Sequence, residues 1–179
     1  PSDVTAPYGL AKKMLLVQSQ AYHKQYNLNS IYLIPTNLYG PKDNFLEDKS
    51  HVIPALIKKV VEAKRDNHSI INVWGKGTAT REFLYVKDAA LAIVTAMEKY
   101  NKPDPINLGT GEEVPIKVLL NKIIKIIGFT GKVVWEKDKP EGQPRRFLNI
   151  NKANNEFGFK ATTSLEVGLE KTINWYLNK

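Results

Sequence analysis

Apolar residues recur at every third or fourth position near the start of the chain, between residues 8 and 26. This spacing predicts one helix from Tyr8 to about Tyr26, with its apolar side chains on a single stripe. The stripe is formed by Leu10, Met14, Val17 and Ala21. The same spacing predicts four further helices, over residues 52–65, 89–100, 116–127 and 164–177.

Local signals sharpen the ends of three of these helices. Asp88 precedes the second of the four as an N-cap or first-turn acid. Pro115 and Gly128 bracket the third, in the usual arrangement of proline at the start and glycine after the end. Thr163 and Glu166 have the spacing of a capping box at the start of the last. These signals support helices rather than strands at all three places.

Short apolar runs between the helices predict strands. The runs are "IYLIPT" (31–36), "SIINVWG" (69–75), "REFLYV" (81–86), "PINLGTG" (105–111) and "KVVWE" (132–136). The segment 37–51 is rich in Gly, Pro, Asp and Asn and is predicted to be loop. Alternation of helices and strands predicts an α/β fold with a largely parallel sheet. The first helix is expected to lie on a sheet whose earlier strands this chain lacks.

The composition argues against some classes of function and leaves several others open. The chain has no cysteine, its three histidines lack metal-ligand spacing, and no apolar run approaches the roughly 20 residues of a membrane span. We therefore expect no metal and no membrane. The net charge of +8 favours an anionic partner, either nucleic acid, an acidic membrane face or a phosphorylated small molecule. Solvated surface lysines would account for the same excess.

Two motifs carry candidate chemistry. Tyr8 and Lys12 are one helical turn apart, and an ammonium beside a phenol favours its ionised form, so the pair could exchange a proton with a carbonyl or alcohol. The turn Gly109-x-Gly111 lacks the third glycine of a dinucleotide fingerprint, because residue 114 is valine. We interpret this turn as structural.

A series of motifs resembles one enzyme family. In order along the chain these are "PYGLAK", "PTNLYGPKDNF", "SHVIPALIKK", "VWGKGTATREFLYVKDAA", "INLGTGEE" and "KPEGQPRRFLN". Together they resemble the C-terminal part of the GDP-L-fucose synthase family, extended short-chain dehydrogenases/reductases within the NAD-dependent epimerase/dehydratase group. The resemblance implies the end of a Rossmann-like doubly wound sheet plus a smaller α/β substrate-binding domain. It places residues 1–40 in the NADP-binding domain and 41–179 mainly in the substrate domain, with about 81–110 returning to the Rossmann sheet.

The resemblance also implies roles for individual residues. Tyr8 would donate a proton to the C4 oxygen of the sugar, and Lys12 would hold the nicotinamide ribose and tune Tyr8. The nicotinamide side of NADPH would be lined by Pro35, Thr36, Asn37 and Leu38. His51 would act as an acid in epimerisation and contact the cofactor. The GDP-sugar would be bound by Lys59, Trp74, Arg81 and Glu141. Relatives are expected to have aspartate at the last position.

The same resemblance bounds what this chain can do. The family's glycine-rich NADP loop, its catalytic serine and its epimerisation cysteine have no counterpart here, so the chain alone is expected to be inactive. The intact enzyme is expected to be a cytoplasmic homodimer paired through the Tyr8 helix, with no nucleic-acid partner. Two alternatives stay open: another nucleotide-sugar epimerase or reductase of the superfamily, and a basic nucleic-acid-binding domain supported by charge alone. Arg145 and Arg146 could meet phosphate or simply belong to a solvated turn.

Overall fold

Helices form at all five places where the apolar spacing predicts them, and at one more. The computed structural model describes residues 6–46, 50–139 and 142–179. The helices within these residues are α1 (Ala6–Tyr26), α2 (Val52–Arg65), α3 (Val86–Lys99), α4 (Ile116–Ile127), α5 (Asn151–Phe157) and α6 (Leu165–Leu177). The additional helix is α5, whose sequence "NKANNEF" is polar and has no apolar period. It packs against α3 and the strand Ile106–Leu108, so tertiary contact stabilises it.

The strands are short and mostly pair in parallel. They are β1 (Leu33–Pro35), β2 (Asn37–Tyr39), β3 (Ile70–Trp74), β4 (Thr80–Arg81), β5 (Phe83–Tyr85), β6 (Ile106–Leu108), β7 (Val114–Pro115), β8 (Lys132–Glu136) and β9 (Arg145–Arg146). Parallel pairs join β1 to β6, β2 to β5 and β3 to β8. A small mixed sheet has the order β7-β4-β9, with only the β4–β7 pair antiparallel.

Two apolar clusters form the core of the described residues. The larger one packs α2, α4 and α6 on the inner face of β3, with Ile57, Leu120 and Ile123 at zero exposure. The smaller one packs α3 and α5 on β5 and β6, where Ala92 and Ala96 let the helix approach the sheet closely. Each fully buried aliphatic side chain contributes roughly 1.5–3 kcal/mol of transfer free energy. These clusters hold the strand ends where the candidate site lies.

Four sequence predictions of local structure are corrected. Residues 37–39, predicted as loop, form β2 because they pair in register with residues 83–85. The single predicted strand 81–86 divides at Glu82 into β4 and β5. The helix predicted to open at Asp88 begins earlier, at Val86, so Asp88 is not its N-cap but its first-turn acid, the other predicted role, which is confirmed; its carboxylate accepts hydrogen bonds from Thr162 and Thr163.

The last correction concerns the start of α6. The N-cap is Ser164, whose hydroxyl accepts from the Val167 amide at 3.4 Å. Thr163 therefore does not form the predicted capping box with Glu166. The Thr163 amide is taken by Asp88, at 2.9 Å, which explains why the next residue caps the helix.

The apolar stripe of α1 is exposed. No residue of this helix is buried, and the side chains of Met14 and Val17 are 58% and 51% exposed. Tyr32 donates a hydrogen bond to the Lys12 carbonyl at 2.6 Å, which ties the helix to the segment before β1. The periodicity predicted the helix correctly, but its stripe has no cover within the described residues. None of the helices in the described part of the chain is long and apolar enough to cross a membrane.

Two helical glycines provide a matched test of packing. Gly168 of α6 lies against the buried Tyr39, and an added Cβ would overlap the phenol, with the ring carbon Cζ at 2.8 Å. The Tyr39 ring is itself confined by edge contacts to Phe83 and Tyr85. Gly168→Ala should therefore lower the free energy of unfolding by roughly 1–3 kcal/mol, as overpacked cores do.

Gly9 of α1 is the control, because an added Cβ there meets nothing within 4 Å. Gly9→Ala should raise the free energy of unfolding by up to about 1 kcal/mol through helix propensity alone. Urea denaturation of both variants measures the difference. Equal effects of the two substitutions would contradict the packing around Tyr39.

Candidate functional site

A groove of about 970 Å³ runs between α2 and β3. Three of the four residues expected to bind the sugar nucleotide line it: Lys59 from α2, Trp74 from the end of β3, and Arg81 from β4. Helix periodicity turns Lys59 toward the strand, and strand alternation leaves Trp74 on the solvent face, 63% exposed. These three residues thus combine two cations with an exposed aromatic ring. That combination suits a ligand with phosphate and a planar ring.

Lys59 is held in place by the strand it faces. Its ammonium donates a hydrogen bond to the Asn72 carbonyl at 2.7 Å. An ammonium has three N–H donors, so this bond orients the side chain and leaves donors for an anion. At the far end of the strand, the Lys139 ammonium lies 5.8 Å from the centre of the Trp74 ring. Cationic groups thus lie beside the Asn72–Trp74 part of the groove, whereas Glu62 and Asp66 line another part of it.

The neighbouring arginines of β9 have different environments. Arg145 forms a bidentate pair with Glu113, with nitrogen–oxygen distances of 2.8 to 3.0 Å, and Thr80 donates to the same carboxylate. Arg146 is instead the register partner of Arg81. Register partners share a face of the sheet, and like charges placed opposite each other repel. No carboxylate of the described residues pairs with Arg81 or Arg146.

The two adjacent arginines, Arg145 and Arg146, are distinguished by their contacts, although the sequence alone does not distinguish them. Arg145 is neutralised and holds the small sheet together on one face. Arg81 and its register partner Arg146 lie on the other face, and Arg81 lines the groove. The sequence left both arginines open between phosphate binding and a solvated turn, and strand register distinguishes them because it assigns the two adjacent side chains to opposite faces.

The glycine turn after β6 is closed by a protein carboxylate. Glu82 is fully buried, and its Oε1 accepts hydrogen bonds from the Thr110 and Gly111 amides at 2.7 and 2.8 Å. These are the backbone donors that would hold a phosphate in a dinucleotide loop. The interpretation of this turn as structural is confirmed, and the occupying anion is the physical reason.

The four residues expected at the cofactor lie where β1 ends and β2 begins. Pro35 and Leu38 have exposed side chains, as residues that line a ligand require. The side chains of Thr36 and Asn37 turn inward, donating to the Glu82 carbonyl at 3.1 and 2.8 Å. Parallel sheets bind cofactors at the carboxyl ends of their strands, and this segment lies at such an end. The segment is anchored by these two hydrogen bonds and is partly open.

Tyr8 and Lys12 share a face of α1, as their spacing predicted. The Lys12 ammonium lies 5.5 Å from the centre of the Tyr8 ring, and the phenol is 70% exposed. His51 is the N-cap residue of α2, but its imidazole makes no capping hydrogen bond and is exposed. Its ring is therefore available to a ligand.

The structure gathers some predicted site residues and separates others. The groove collects Lys59, Trp74 and Arg81, whereas its lining within the described residues does not include the Tyr8–Lys12 pair, the 35–38 segment or His51. Glu141, expected to contact the sugar, lies outside the described residues. No group of three or more metal-ligating side chains occurs in the part of the chain that the structure describes.

Two phenols of the core are excluded from acid–base work at neutral pH. Burial raises the pKa of Tyr39 far above its usual value, and the nearby Tyr85 and Asp88 raise it further. Burial raises the pKa of Tyr85 as well, with Asp88 adding to the effect. Both phenols stay protonated and serve packing. Tyr8 is the exposed phenol with a cation above its ring.

The strands pair in parallel and are joined through helices, and a groove lined by Lys59 and Arg81 lies at strand ends. These features define a Rossmann-type α/β protein built like an extended short-chain dehydrogenase/reductase. Residues 1–109 match the model of the NAD dependent epimerase/dehydratase family. The chain belongs to this family. Both the predicted resemblance and the predicted fold class are thereby confirmed.

The chain is similar over most of its length to proteins described as GDP-L-fucose synthases. It is 42% identical over 170 residues to "Probable GDP-L-fucose synthase 1" of Oryza sativa subsp. japonica, covering 95% of this chain and 52% of that protein. It is 39% identical over 180 residues to the GDP-L-fucose synthase of Escherichia coli (strain K12), covering 96% and 56%. The chain therefore spans about half the length of the curated relatives it matches.

Solved structures agree with the fold. A GDP-L-fucose synthetase from Naegleria fowleri superposes with a TM-score of 0.92 at 30% identity, over 100% of this chain and 56% of that one. A GDP-6-OMe-4-keto-L-xylo-heptose reductase from C. jejuni gives 0.87 at 27% identity, over 97% and 61%. The names of both proteins specify a GDP-linked sugar.

The Glu113–Arg145 pair predicts a pH dependence of stability. Hydrogen bonds from Arg145, and then from Thr80, lower the pKa of Glu113. A lowered folded-state pKa means that the carboxylate stabilises the fold above the unfolded value of about 4.3, and that this contribution is lost as pH falls through the folded value. Glu113→Gln should lower the melting temperature at pH 7, with the difference from native shrinking as pH falls below 4.

The neighbouring Glu112 is the matched control, because its side chain is exposed and makes no ion pair in the described structure. Glu112→Gln should leave the pH profile of the melting temperature close to native. A Glu113→Gln profile parallel to the native one at every pH would contradict the assigned pair.

Proposed function

We propose that this chain is the nucleotide-sugar-binding portion of an NADPH-dependent enzyme that converts GDP-4-keto-6-deoxy-D-mannose to GDP-L-fucose. The observation that carries the proposal is the groove, where three residues nominated by family resemblance converge from separate elements: Lys59, Trp74 and Arg81. The similarity to GDP-L-fucose synthases over 95% of the chain supports the same substrate class. Because the chain spans about half of such relatives, it alone is expected not to turn over.

Substrate binding follows from the chemistry of the groove. A diphosphate carries two negative charges or more, and guanidinium groups bind phosphate oxygens through paired hydrogen bonds. Arg81 and Arg146, register partners on one face, suit that group. Trp74 offers an exposed ring to a base or sugar, and Lys59 adds a third cation. Glu141 would contact the sugar, as its family position suggests.

The residues of this chain fit part of a nicotinamide site. An exposed phenol with a lysine one turn away, and the exposed Pro35 and Leu38 at a strand end, are suitable for a nicotinamide ribose and ring. Tyr8, Lys12, the 35–38 segment and His51 would hold this end of NADPH. The bound cofactor supplies a hydride to the keto carbon. Thr36 and Asn37 would act chiefly by shaping the backbone, since their side chains bond inward.

The reaction would consist of two epimerisation steps, at C3 and C5, followed by one reduction at C4. The 4-keto group acidifies the protons at C3 and C5, so a base can remove each and leave an enolate. His51 would return a proton to the opposite face, inverting each centre. Tyr8 would then protonate the C4 oxygen as that carbon is reduced, with Lys12 compensating the charge. The base is assigned to a cysteine in the family, and this chain has none.

The organisation of the intact enzyme is part of the proposal. Residues 1–40 would complete an NADP-binding domain, and residues 41–179 would mainly form the substrate domain, with about 81–110 returning to the cofactor-binding sheet. The exposed stripe of α1 supports a homodimer formed through that helix. A cytoplasmic location would suit the cofactor and substrate.

A second candidate is a different GDP-sugar reductase or epimerase. It is favoured by the likeness to the C. jejuni GDP-heptose reductase, whose fold matches almost as well as that of the fucose synthetase. Turnover of GDP-4-keto-6-deoxy-D-mannose against other GDP- and UDP-keto sugars separates these. Binding of random-sequence DNA with steep salt dependence would instead support the nucleic-acid alternative.

Arg81 and Arg146 give a prediction for GDP binding by the protein in the form that its organism produces. Arg81→Gln and Arg146→Gln should each weaken GDP binding by about tenfold or more, because each removes a charged donor to phosphate. Arg65→Gln is the control: it removes the same charge from the exposed end of α2, where Arg65 pairs with Asp66, and should change affinity by less than about twofold. Titration calorimetry measures all three, and native-like GDP affinity in Arg146→Gln would refute its role.

The phenol gives a catalytic prediction for the same protein. Tyr8→Phe should reduce NADPH oxidation by at least about 10²-fold, the usual contribution of a positioned acid. Deuterium exchange at C3 and C5 should continue in this variant, whereas His51→Gln should slow the exchange. Tyr22→Phe, which changes another exposed phenol of α1, is the control. Undiminished NADPH oxidation by Tyr8→Phe would exclude Tyr8 as the proton donor.

A further inference from the structure

Glu82 is a fully buried carboxylate with no ion pair among the described residues. Its charge is met by three backbone amides. Oε1 accepts from Thr110 and Gly111 at 2.7 and 2.8 Å, and Oε2 accepts from Leu148 at 3.0 Å. Three hydrogen bonds from backbone N–H groups satisfy an ionised carboxylate in the interior. The proposed reaction does not use this group.

The position of Glu82 connects it to the arginine pair. It directly follows Arg81, and Leu148 lies two residues after Arg146. The β4–β9 ladder between them is only two residues long, and such a ladder needs support from its ends. One end is held by the Thr80 amide, which donates to the Pro144 carbonyl at 2.9 Å. Glu82 holds the other end through the Leu148 amide.

The turn after β6 is fitted closely around the same carboxylate. A Cβ added at Gly109 would approach the carboxyl carbon of Glu82 to 2.8 Å, so the absence of a side chain there permits the contact. The Glu82 carbonyl accepts the hydrogen bonds from Thr36 and Asn37 at the proposed cofactor segment. One residue therefore joins the turn, the arginine strand and the cofactor-side segment.

We infer that Glu82 is a positioning residue for diphosphate recognition: it fixes the register in which Arg81 and Arg146 lie side by side, so that both reach one diphosphate. The inference rests on the proposed function. Because Glu82 is buried beneath the sheet, it acts through the two arginines and makes no contact with the ligand. Its effect should fall on the second phosphate, which needs both guanidinium groups.

A comparison of GDP with GMP distinguishes positioning from general stability. Both nucleotides carry the base, the ribose and one phosphate, so partial unfolding would weaken both equally. The native protein should prefer GDP over GMP by about tenfold, the effect of one added charge-assisted contact. In Glu82→Gln the amide nitrogen opposes a backbone N–H, and the preference should fall to about twofold or less.

Asp88→Asn is the matched control. Asp88 is also a buried carboxylate that accepts a backbone amide, from Thr163 at 2.9 Å, but it lies away from the β4–β9 ladder. This variant should lose melting temperature while keeping the native GDP preference. Calorimetric titration of the naturally expressed protein and both variants, with thermal melts alongside, gives the ratios and the folded fractions.

A second pair of variants covers the case in which Glu82→Gln does not fold. Replacing the Leu148 amide by an ester removes only the N–H that Glu82 Oε2 accepts. It should lower the GDP preference severalfold, whereas the same replacement at Thr163 should leave the preference unchanged. If Glu82→Gln folds and keeps the native preference for GDP over GMP, the inference about Glu82 is overturned and the proposed function is not. If Glu82→Gln does not fold, the same result in the Leu148 ester overturns the inference. Failure of the native protein to bind GDP overturns the proposed function, and the inference with it.

Discussion

The arrangement of the candidate site depends on one buried charge and the backbone amides that satisfy it. A carboxylate removed from water is strongly unfavourable unless hydrogen bonds replace its hydration. Glu82 receives three such bonds, from two segments far apart in the chain. Those segments must therefore come together for the protein to fold. The groove arginine precedes this residue, and the glycine turn closes on it, so the need to satisfy one charge organises both.

The positions of the cations, and not the net positive charge, indicate which ligand the chain binds. Several are neutralised by local carboxylates, as Lys102 is by Glu156, Lys122 by Glu166 and Arg145 by Glu113. Exposed pairs of this kind contribute little to stability. Arg81 and Arg146 form no such pair among the described residues and lie on paired short strands, and Arg81 lines the groove, in a fold whose strand ends bind phosphorylated ligands. Net charge is thus compatible with several partners, whereas its distribution favours a nucleotide diphosphate.

Helices α1 and α3 have apolar faces that no other described residue covers. Met14 and Val17 of α1, and Leu91 and Met97 of α3, are all at least half exposed, although both helices carry strong local signals. Their inner contacts are made by small or polar groups, such as Ala92 against the sheet and Tyr32 against the Lys12 carbonyl. Local propensity and partial contact place these helices, and their remaining apolar surface is suited to further association.

The sequence by itself determined the features that depend on near neighbours. Helical spacing located α1 to α4 and α6, Pro115 and Gly128 marked the limits of α4, and motif order predicted the family and the groove residues. Tertiary structure decided the rest. The three-residue β2 and the two-residue β9 exist only because distant strands supply their partners, and Asp88 and Glu82 bond to segments that no local pattern reveals. Arg145 and Arg146 differ only through register, because strand pairing alone assigns adjacent side chains to opposite faces.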